Sequence, residues 1–339
     1  MKILVIFTGG TIGSTVGENF ISLDESKKYA LIDNFNKNCD MKVDFEVENP
    51  YSIFSENLSG NELTTLCKLV ESKVNNGYDG IIVTHGTDTI QYTASALAYT
   101  VKTQIPVILV SSNYPLDNKL SNGNDNFLGA VKFISQLKVG GVFVAYKNFM
   151  DNAVEFFNAN RILSHNESSD AISSIDGYPY AFYVLPCDND PSIIDFEDKI
   201  TVLENGKTTK GKGAIGAVEF IDNPKILFIN SHPADSFSYD LKGYKAVLIK
   251  PYHSGTLDTA NKNFIEFCKK AKENNIPIFI PNVKGDISYD TTKVFEDLGL
   301  NLLVFATTPA SYVKIWLAIS LKKDIKEFVL EELNGEFSN

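Results

Sequence analysis

The sequence has few cysteines and histidines, no long apolar run and no concentration of positive charge. Its 339 residues include four cysteines and four histidines, and neither set has the spacing of a metal or redox motif. We therefore expect reduced thiols and no metal site built from these cysteines and histidines. No stretch approaches the roughly 20 apolar residues of a membrane-spanning helix. The apolar run after Met1-Lys2 is too short for a secretory leader, so we predict a cytoplasmic protein with no membrane partner.

The charge balance is acidic, with a formal net charge of −11. A nucleic-acid partner would require concentrated lysine and arginine, because phosphate neutralisation dominates that kind of binding. No basic stripe occurs, so we predict no nucleic-acid partner and attribute the acidity to solubility. With 44% hydrophobic residues, the chain is long enough to bury a full core, and its length favours a division into two domains.

Strand and helix patterns alternate along the chain. Continuous apolar runs such as residues 106–110 are typical of strands covered on both faces, as in parallel sheets. Between them, apolar residues recur at the spacing of one helix face. We predict strands at 2–7, 42–48, 80–84, 106–110, 141–145, 226–229, 245–249, 277–280 and 301–305, and helices at 61–76, 88–102, 121–136, 258–274 and 309–321. The predicted fold class is therefore α/β.

A polar segment that contains several prolines and glycines, residues 186–213, separates two strand–helix series. Such composition is typical of a connection between domains. We predict an N-terminal α/β domain over residues 1–190, built on the larger parallel sheet. A linker over 191–212 and a smaller C-terminal α/β domain over 213–339 follow.

Two loops that are rich in hydroxyl groups and contain glycine directly follow predicted strands. Thr8-Gly9-Gly10-Thr11 follows the strand at 2–7, and Thr84-His85-Gly86-Thr87-Asp88-Thr89 follows the strand at 80–84. In an open α/β sheet, the loops at the carboxyl ends of parallel strands share one edge, where ligands bind. The two loops are therefore predicted to face each other across one cleft.

The residue types in these loops suit nucleophilic chemistry on a carbonyl group. A threonine hydroxyl such as that of Thr11 becomes a nucleophile when a neighbouring base takes its proton. Thr87 and Asp88 lie at a predicted helix start, where free backbone N–H groups can stabilise an anion. Taken singly, each motif also has an ordinary structural interpretation, as a glycine turn or a helix N-cap.

Taken together, the motifs resemble those of the bacterial-type L-asparaginases, and the missing leader points to the cytoplasmic, type I branch. The matching stretches are Thr8-Gly9-Gly10-Thr11-Ile12-Gly13, His85-Gly86-Thr87-Asp88-Thr89 and Tyr92-Thr93-Ala94-Ser95-Ala96-Leu97. The resemblance covers nearly the whole chain. It includes Ser55-Glu56-Asn57-Leu58 at the family's substrate loop and Thr307-Thr308-Pro309 at its last long helix.

The resemblance implies a threonine amidohydrolase that works as a homodimer or homotetramer, without metal or organic cofactor. Thr11 would attack the side-chain amide of L-asparagine, giving an aspartyl-enzyme and ammonia. Thr87 and Asp88 would form the second threonine's proton relay, and Asp88 would also hold the α-amino group. Ser55 would hold the α-carboxylate. The remaining residues of the implied substrate site are Glu56, Asn57 and Gly86.

The sequence departs from the family at several positions of the implied relay. The family's lysine after an Arg is missing, since no lysine occurs between residues 148 and 198. His165 is the nearest basic replacement, and Lys147 would need a shifted loop. The lid tyrosine corresponds to Phe20, or to Tyr29 with a different loop path. Acidic residues of the family are replaced by Phe54 and Ala310.

Three functions are compatible with these residues. The first is hydrolysis of L-asparagine, supported by Thr11, Thr87, Asp88 and Ser55. The second is regulatory binding of an amino acid by a catalytically impaired scaffold, because relay residues are missing. The third is an amidase for another amide, including a role like the deamidating subunit of archaeal tRNA amidotransferases. Assays of activity and of substrate range would separate them.

Overall fold

Two main sheets with helices on both faces, together with a small two-stranded antiparallel sheet of Ser14–Val16 and Ile21–Leu23, make up the structure, a computed structural model. The residues that it describes are 1–10, 12, 14–16, 21–23, 29–149, 151–165, 169–186, 198–203, 212–283 and 289–337. The strands are β1 (Lys2–Phe7), β2 (Ser14–Val16), β3 (Ile21–Leu23), β4 (Asp44–Glu48), β5 (Gly80–Thr84), β6 (Pro106–Val110), β7 (Gly141–Tyr146), β8 (Ala153–Asn158), β9 (Ala181–Val184), β10 (Ile200–Val202), β11 (Ile226–Asn230), β12 (Ala246–Lys250), β13 (Ile278–Val283) and β14 (Leu300–Val304). The helices are α1 (Ala30–Asn38), α2 (Gly60–Lys73), α3 (Ile90–Thr100), α4 (Gly123–Gln136), α5 (Lys262–Glu273), α6 (Thr308–Ser320) and α7 (Ile325–Leu330).

The larger sheet has the strand order β10-β9-β8-β7-β6-β5-β1-β4. Strands β4, β1, β5, β6 and β7 are parallel, as the sequence predicts. The other three strands are antiparallel to their neighbours, so the sheet is mixed. The reason is the short connection over residues 147–152, since a parallel return needs a crossover of roughly a dozen residues or more.

The winding of this sheet reverses between β1 and β5. From β1 the chain passes to β4 at the sheet edge, then crosses back over β1 to β5 and continues to β6 and β7. The reversal leaves a crevice between the carboxyl ends of β1 and β5, which is where open α/β sheets bind ligands.

Side-chain alternation along the strands divides the core of the larger sheet into two layers. Leu4 and Ile6 of β1 belong to the layer packed against α2 and α3. Ile3 and Val5 belong to the layer packed against α1 and α4. Because both faces are covered, the central strands are apolar along their whole length.

The second sheet is entirely parallel, with the order β11-β12-β13-β14. Helix α5 covers one face, while α6 and α7 cover the other. Helix α6 also packs against α3, where the rings of Tyr92 and Tyr312 meet at 5.8 Å between centroids. The two parts of the molecule therefore share an apolar contact through α6.

The C-terminal segment 331–337, which we call the C-terminal clasp, ties α6 to the larger sheet's helices. The Lys314 ammonium on α6 forms an ion pair with the Glu336 carboxylate, and both side chains are buried. Arg161 Nη1 donates to the Glu336 carbonyl at 2.6 Å. Asn334 Nδ2 donates to the Ala98 carbonyl of α3 at 2.7 Å. Burial lowers the pKa of the Lys314 ammonium.

All the predicted strands and helices are present, with ends shifted by a few residues. The two-domain α/β prediction is confirmed. Helices α1 and α7 and strands β2, β3, β8, β9 and β10 were not predicted. Strand β10 lies within the predicted linker, residues 191–212, and pairs with β9, while the exact domain limits stay a prediction. In the described part of the chain, no helix has the length and apolar character to cross a membrane.

Candidate functional site

Three segments meet at the carboxyl end of β1, beside the crevice. The first is the loop after β1, the second is the loop after β5, and the third is the segment after β4. That third segment lies beside the first in parallel orientation. Gly10 N donates to the Ile53 carbonyl at 2.9 Å, and Ile53 N donates to the Thr8 carbonyl at 3.1 Å. The segment after β4 is thereby fixed across the end of β1.

The segments approach so closely that glycine is required at two positions. Gly10 has φ +78°, and a Cβ atom there would lie 2.5 Å from the Gly86 backbone nitrogen. A Cβ atom on Gly86 would lie 2.5 Å from Ser55 Oγ. Neither distance is compatible with a side chain unless the backbone moves. Gly10, Gly86 and Ser55 therefore bring all three segments into direct contact.

Ser55 begins a short 3₁₀ turn, Ser55–Asn57, and is itself buried. The Thr89 hydroxyl donates to the Ser55 carbonyl at 2.8 Å, which ties this turn to the loop after β5. Glu56 and Asn57 lie on the same turn and are exposed. Of the predicted substrate residues, the structure thus brings Ser55 and Gly86 into contact and places Glu56 and Asn57 at the rim.

Thr87 and Asp88 lie in the turn between β5 and α3, where Thr87 is half-buried and Asp88 is exposed. Thr89 is the N-cap of α3 but makes no side-chain cap, because its hydroxyl is bonded to the Ser55 turn. The helix therefore presents its N-terminal end, with its positive partial charge, at the crevice. This favours a bound anion such as a carboxylate.

His85 supports this loop from beneath and is fully buried. Its Nδ1 lies 2.8 Å from the Gly86 carbonyl, and its Nε2 lies 2.8 Å from the Thr93 hydroxyl. Burial lowers the pKa of His85 to about 4, so the ring is neutral at physiological pH. Nδ1–H then donates to Gly86 and Nε2 accepts from Thr93. His85 therefore supports the loop through its two hydrogen bonds, and it is not an acid that transfers a proton in a reaction.

Three residues were named above as replacements for the missing relay lysine or lid tyrosine, and they lie in different parts of the structure. Lys147 is held by an ion pair with Asp125 at 2.8 Å, at the start of α4. Tyr29 lies near the end of β1, with its ring 6.0 Å from that of Phe7, and is exposed. His165 has an Nε2 atom that is shielded from solvent and has no hydrogen-bond partner among the described residues.

Thr11 and Phe20 lie outside the described residues. Phe54 is half-buried and directly precedes the Ser55 turn. Ala310 is buried in the first turn of α6. Among the residues that the structure describes, no group of three or more His, Cys, Asp or Glu side chains is arranged to hold a metal ion.

Gln91 is a buried polar residue next to the Asp88 turn that the sequence analysis did not single out. It is 4% exposed in the first turn of α3, and its Nε2 donates to the Asp88 carbonyl at 3.0 Å. Its Oε1 is buried and makes no hydrogen bond within the described structure. The available signal was its spacing, three residues after Asp88, which places it in the first turn of the helix that this loop begins.

Comparison with known proteins shows which family this chain resembles. A family model described as "Asparaginase, N-terminal" matches residues 2–184. The chain is 24% identical over 352 residues to a glutamyl-tRNA(Gln) amidotransferase subunit of Methanosarcina acetivorans, covering 99% of this chain and 79% of the relative. It is 29% identical to the same subunit of Methanosarcina barkeri, with the same coverage of both chains.

The fold is shared with solved L-asparaginase structures. The thermostable L-asparaginase from Thermococcus kodakarensis has a TM-score of 0.79 at 20% identity, with 100% of both chains covered. L-asparaginase I from Vibrio cholerae has a TM-score of 0.78 at 21% identity, with 100% of this chain and 99% of that chain covered. At these identities the likeness concerns the fold alone.

Proposed function

Because this chain belongs to the asparaginase family, we propose that it hydrolyses the side-chain amide of L-asparagine to L-aspartate and ammonia. The observation that carries the proposal is the contact of Gly10, Gly86 and Ser55 at the crevice. A buried hydroxyl thereby lies beside the Thr87-Asp88 turn and the N-terminal end of α3. The combination suits an amino acid that carries an α-carboxylate and an α-ammonium group.

In the proposed reaction, the Thr11 hydroxyl attacks the amide carbon and its proton passes to a base. The C–N bond breaks, the nitrogen takes up the proton and ammonia leaves, so that an acyl-enzyme remains. Water then attacks the ester, releasing L-aspartate and restoring the hydroxyl. Thr87 and Asp88 assist proton transfer, while Ser55, Gly86, Glu56 and Asn57 bind the amino acid, with Asp88 at the α-ammonium group.

The same proposal includes three further properties: assembly as a homodimer or homotetramer, membership of the type I branch and a cytoplasmic location. They come from the sequence resemblance. The small-molecule partner is an amino-acid amide.

A second candidate is release of ammonia from a different amide, glutamine in particular. Its support is that the two methanosarcinal relatives are named as subunits of a glutamyl-tRNA(Gln) amidotransferase. Phe54 and Ala310, which replace acidic residues of the family, would change recognition of the amino end. A third candidate is amino-acid binding without turnover, supported by the missing relay lysine.

The test is ammonia release from L-asparagine, L-glutamine and D-asparagine by the wild type and Thr11→Ala. We expect L-asparagine to be the best substrate and Thr11→Ala to lower kcat by at least about a thousandfold. Thr201→Ala, at an exposed position on β10, is the matched control and should retain full activity.

Faster turnover of L-glutamine would support the second candidate. Absence of turnover at high enzyme concentration, with a Tm raised by L-asparagine or L-aspartate, would support binding without catalysis. Activity that persists in Thr11→Ala would exclude the proposed nucleophile.

A further inference from the structure

A cavity of about 510 Å³ lies at the amino ends of β13 and β14 in the second sheet. This edge is opposite to the carboxyl ends of the strands, where α/β sheets usually bind ligands. The end of α5, the starts of β13 and β14 and the start of α7 enclose it. We propose that this cavity binds a small organic dianion, with the charged group at three lysines and the apolar body against the walls. The proposal goes beyond the amidohydrolase function and does not depend on it.

The walls of the cavity are mainly apolar. The apolar lining residues are Cys268, Ala271, Ile276, Pro277, Ile278, Leu298 and Ile325. Cys268, Ala271 and Ile278 are buried and form the floor. The volume falls within the range of roughly 300–1,000 Å³ that is typical of small-molecule sites. The cavity therefore has room for an organic molecule the size of a substituted ring.

One buried polar group interrupts the apolar wall. Asn301 lies in β14, whose other residues are apolar, and it is 8% exposed. Its Nδ2 donates to the Ile278 carbonyl at 2.9 Å, so the amide is held in one orientation. Apolar walls with a few fixed polar groups are the usual construction of a site that binds and orients a small molecule.

Three exposed lysines, Lys272, Lys323 and Lys326, line the same cavity. No ion pair joins any of them to another residue that the structure describes, although the chain has 42 acidic and only 31 basic residues. Asp324 is the one carboxylate among the described lining residues, and its Oδ1 accepts the Glu327 N–H at 2.8 Å. Positive charge of this kind beside apolar walls attracts anions.

Turns at two helix ends fix the backbone around these lysines. After α5, Ile276 N donates to the Ala271 carbonyl at 2.9 Å, and after α6, Lys323 N donates to the Ala318 carbonyl at 3.0 Å. Both bonds span five residues, as in the Schellman motif that ends many helices. The rim of the cavity is therefore formed by the fold itself, before any ligand binds.

Helix stability does not explain all three lysines. Lys272 lies in the last turn of α5, where a positive charge suits the negative end of the helix dipole. Lys326 lies in the first turn of α7, where a positive charge is unfavourable for the same reason. An anion bound in the cavity would compensate that charge.

The test is a titration of isotope-labelled protein with phenyl phosphate and with phthalate, followed by NMR. Both compounds carry two negative charges on a ring. We expect saturable shifts of the Gly299 and Asn301 amide signals, and weaker binding at high salt because exposed charges are screened. The tighter of the two shows whether the charged group is a phosphate ester or a dicarboxylate. Phenol and inorganic phosphate each carry one half of the recognised structure and should bind more weakly.

The decisive variant combines Lys272→Gln, Lys323→Gln and Lys326→Gln. Because all three side chains are exposed, we expect it to fold normally and to weaken binding of the tighter dianion about tenfold or more. Its activity on the amide substrate should equal that of the wild type, since none of the three lysines belongs to the candidate site.

The matched control combines Lys37→Gln, Lys242→Gln and Lys262→Gln, which removes the same number of charges at exposed positions outside the cavity. It should bind the dianion as the wild type does. An equal loss in this control, no saturable shift with either dianion, or equally tight binding of phenol or inorganic phosphate would overturn the proposal. Absence of amide hydrolysis would leave this test unchanged, because the cavity and the candidate site lie on different sheets.

Discussion

At the scale of single residues, the candidate site depends on two positions where a side chain does not fit. Gly10 and Gly77 have the same φ of +78°, but a Cβ at Gly10 would meet the Gly86 backbone, whereas a Cβ at Gly77 would meet nothing within 4 Å. Comparing the same substitution at Gly10 and at Gly77 therefore separates two reasons for which glycine is needed. One is the freedom to adopt a left-handed backbone, and the other is space for a close backbone contact.

We predict that Gly10→Ala lowers the free energy of unfolding by roughly 3 kcal/mol or more, since backbone strain and overlap both contribute. Gly77→Ala should cost only about 1 kcal/mol, the backbone contribution alone. Urea denaturation of both variants measures the difference. Equal losses would show that the close contact of the loops after β1 and β5 is not a constraint on the fold.

His85 gives a pH dependence to stability. Its pKa is lowered to about 4 in the folded protein, whereas an unfolded imidazole titrates near about 6.5. Below that value the unfolded state binds a proton that the folded state excludes, so stability falls between about pH 6.5 and 4, by on the order of 3 kcal/mol in total. Urea denaturation from pH 7 to 4 should show this slope, and His85→Gln should lack that part of it.

At the scale of elements, the start of α2 holds the segment that carries Ser55. Ser59 and Glu62 form a capping box, in which the Ser59 N–H donates to the Glu62 carboxylate at 3.1 Å. Such a cap satisfies N–H groups that the helix leaves open. The Ser55 turn is thereby bounded by Ile53 on one side and by a fixed helix end on the other.

We predict that Ser59→Ala destabilises the protein by about 1 kcal/mol and weakens amino-acid binding by more than Ser72→Ala does. Ser72 is an exposed serine near the other end of α2 whose hydroxyl donates to the Leu69 carbonyl. Chemical denaturation and isothermal titration with L-aspartate measure the two effects. Equal binding by both variants would mean that the α2 cap does not fix the Ser55 turn.

The central elements of both sheets could be predicted because their patterns are local. Strands such as β5 and β6 are continuous apolar runs between turns, and α2 shows one clear apolar face. Helix α7 has six residues and β10 has three, too short for a period to be visible. Their presence depends on tertiary contacts, such as the pairing of β10 with β9, which the sequence does not display.

The candidate site could be predicted in part for the same reason. Thr87, Asp88 and Gly86 adjoin a strong strand signal, and the two-loop cleft followed from the strand ends. The role of the Ser55 turn came from a resemblance, and its contact with Gly86 became visible only in three dimensions. Gln91 was missed because the burial of its amide depends on tertiary packing, which the sequence does not display.

At the scale of the whole molecule, the C-terminal clasp joins α6 to α3 through a buried ion pair. Lys314 and Glu336 are each almost fully removed from solvent, and the Glu336 carboxylate also accepts the Asn334 N–H at 2.7 Å. A buried pair of this kind is costly to break on one side only, because the remaining charge has no counterion.

We predict that Lys314→Met destabilises the protein by about 3–5 kcal/mol and that the double variant Lys314→Met, Glu336→Leu recovers part of this loss. Thermal and urea denaturation provide the measurement. As a control, Lys68→Met breaks an exposed ion pair with Glu219 and should leave the free energy of unfolding nearly unchanged. A similar loss for Lys68→Met would mean that burial is not the decisive property.

The contact among Gly10, Ser55 and Gly86 also has a consequence for folding during synthesis. All three segments belong to the first ninety residues, whereas the clasp follows both sheets in the sequence. The parts of the crevice that touch each other can therefore assemble while the second sheet is still unmade. The larger sheet would then act as the template on which α6 and the clasp settle.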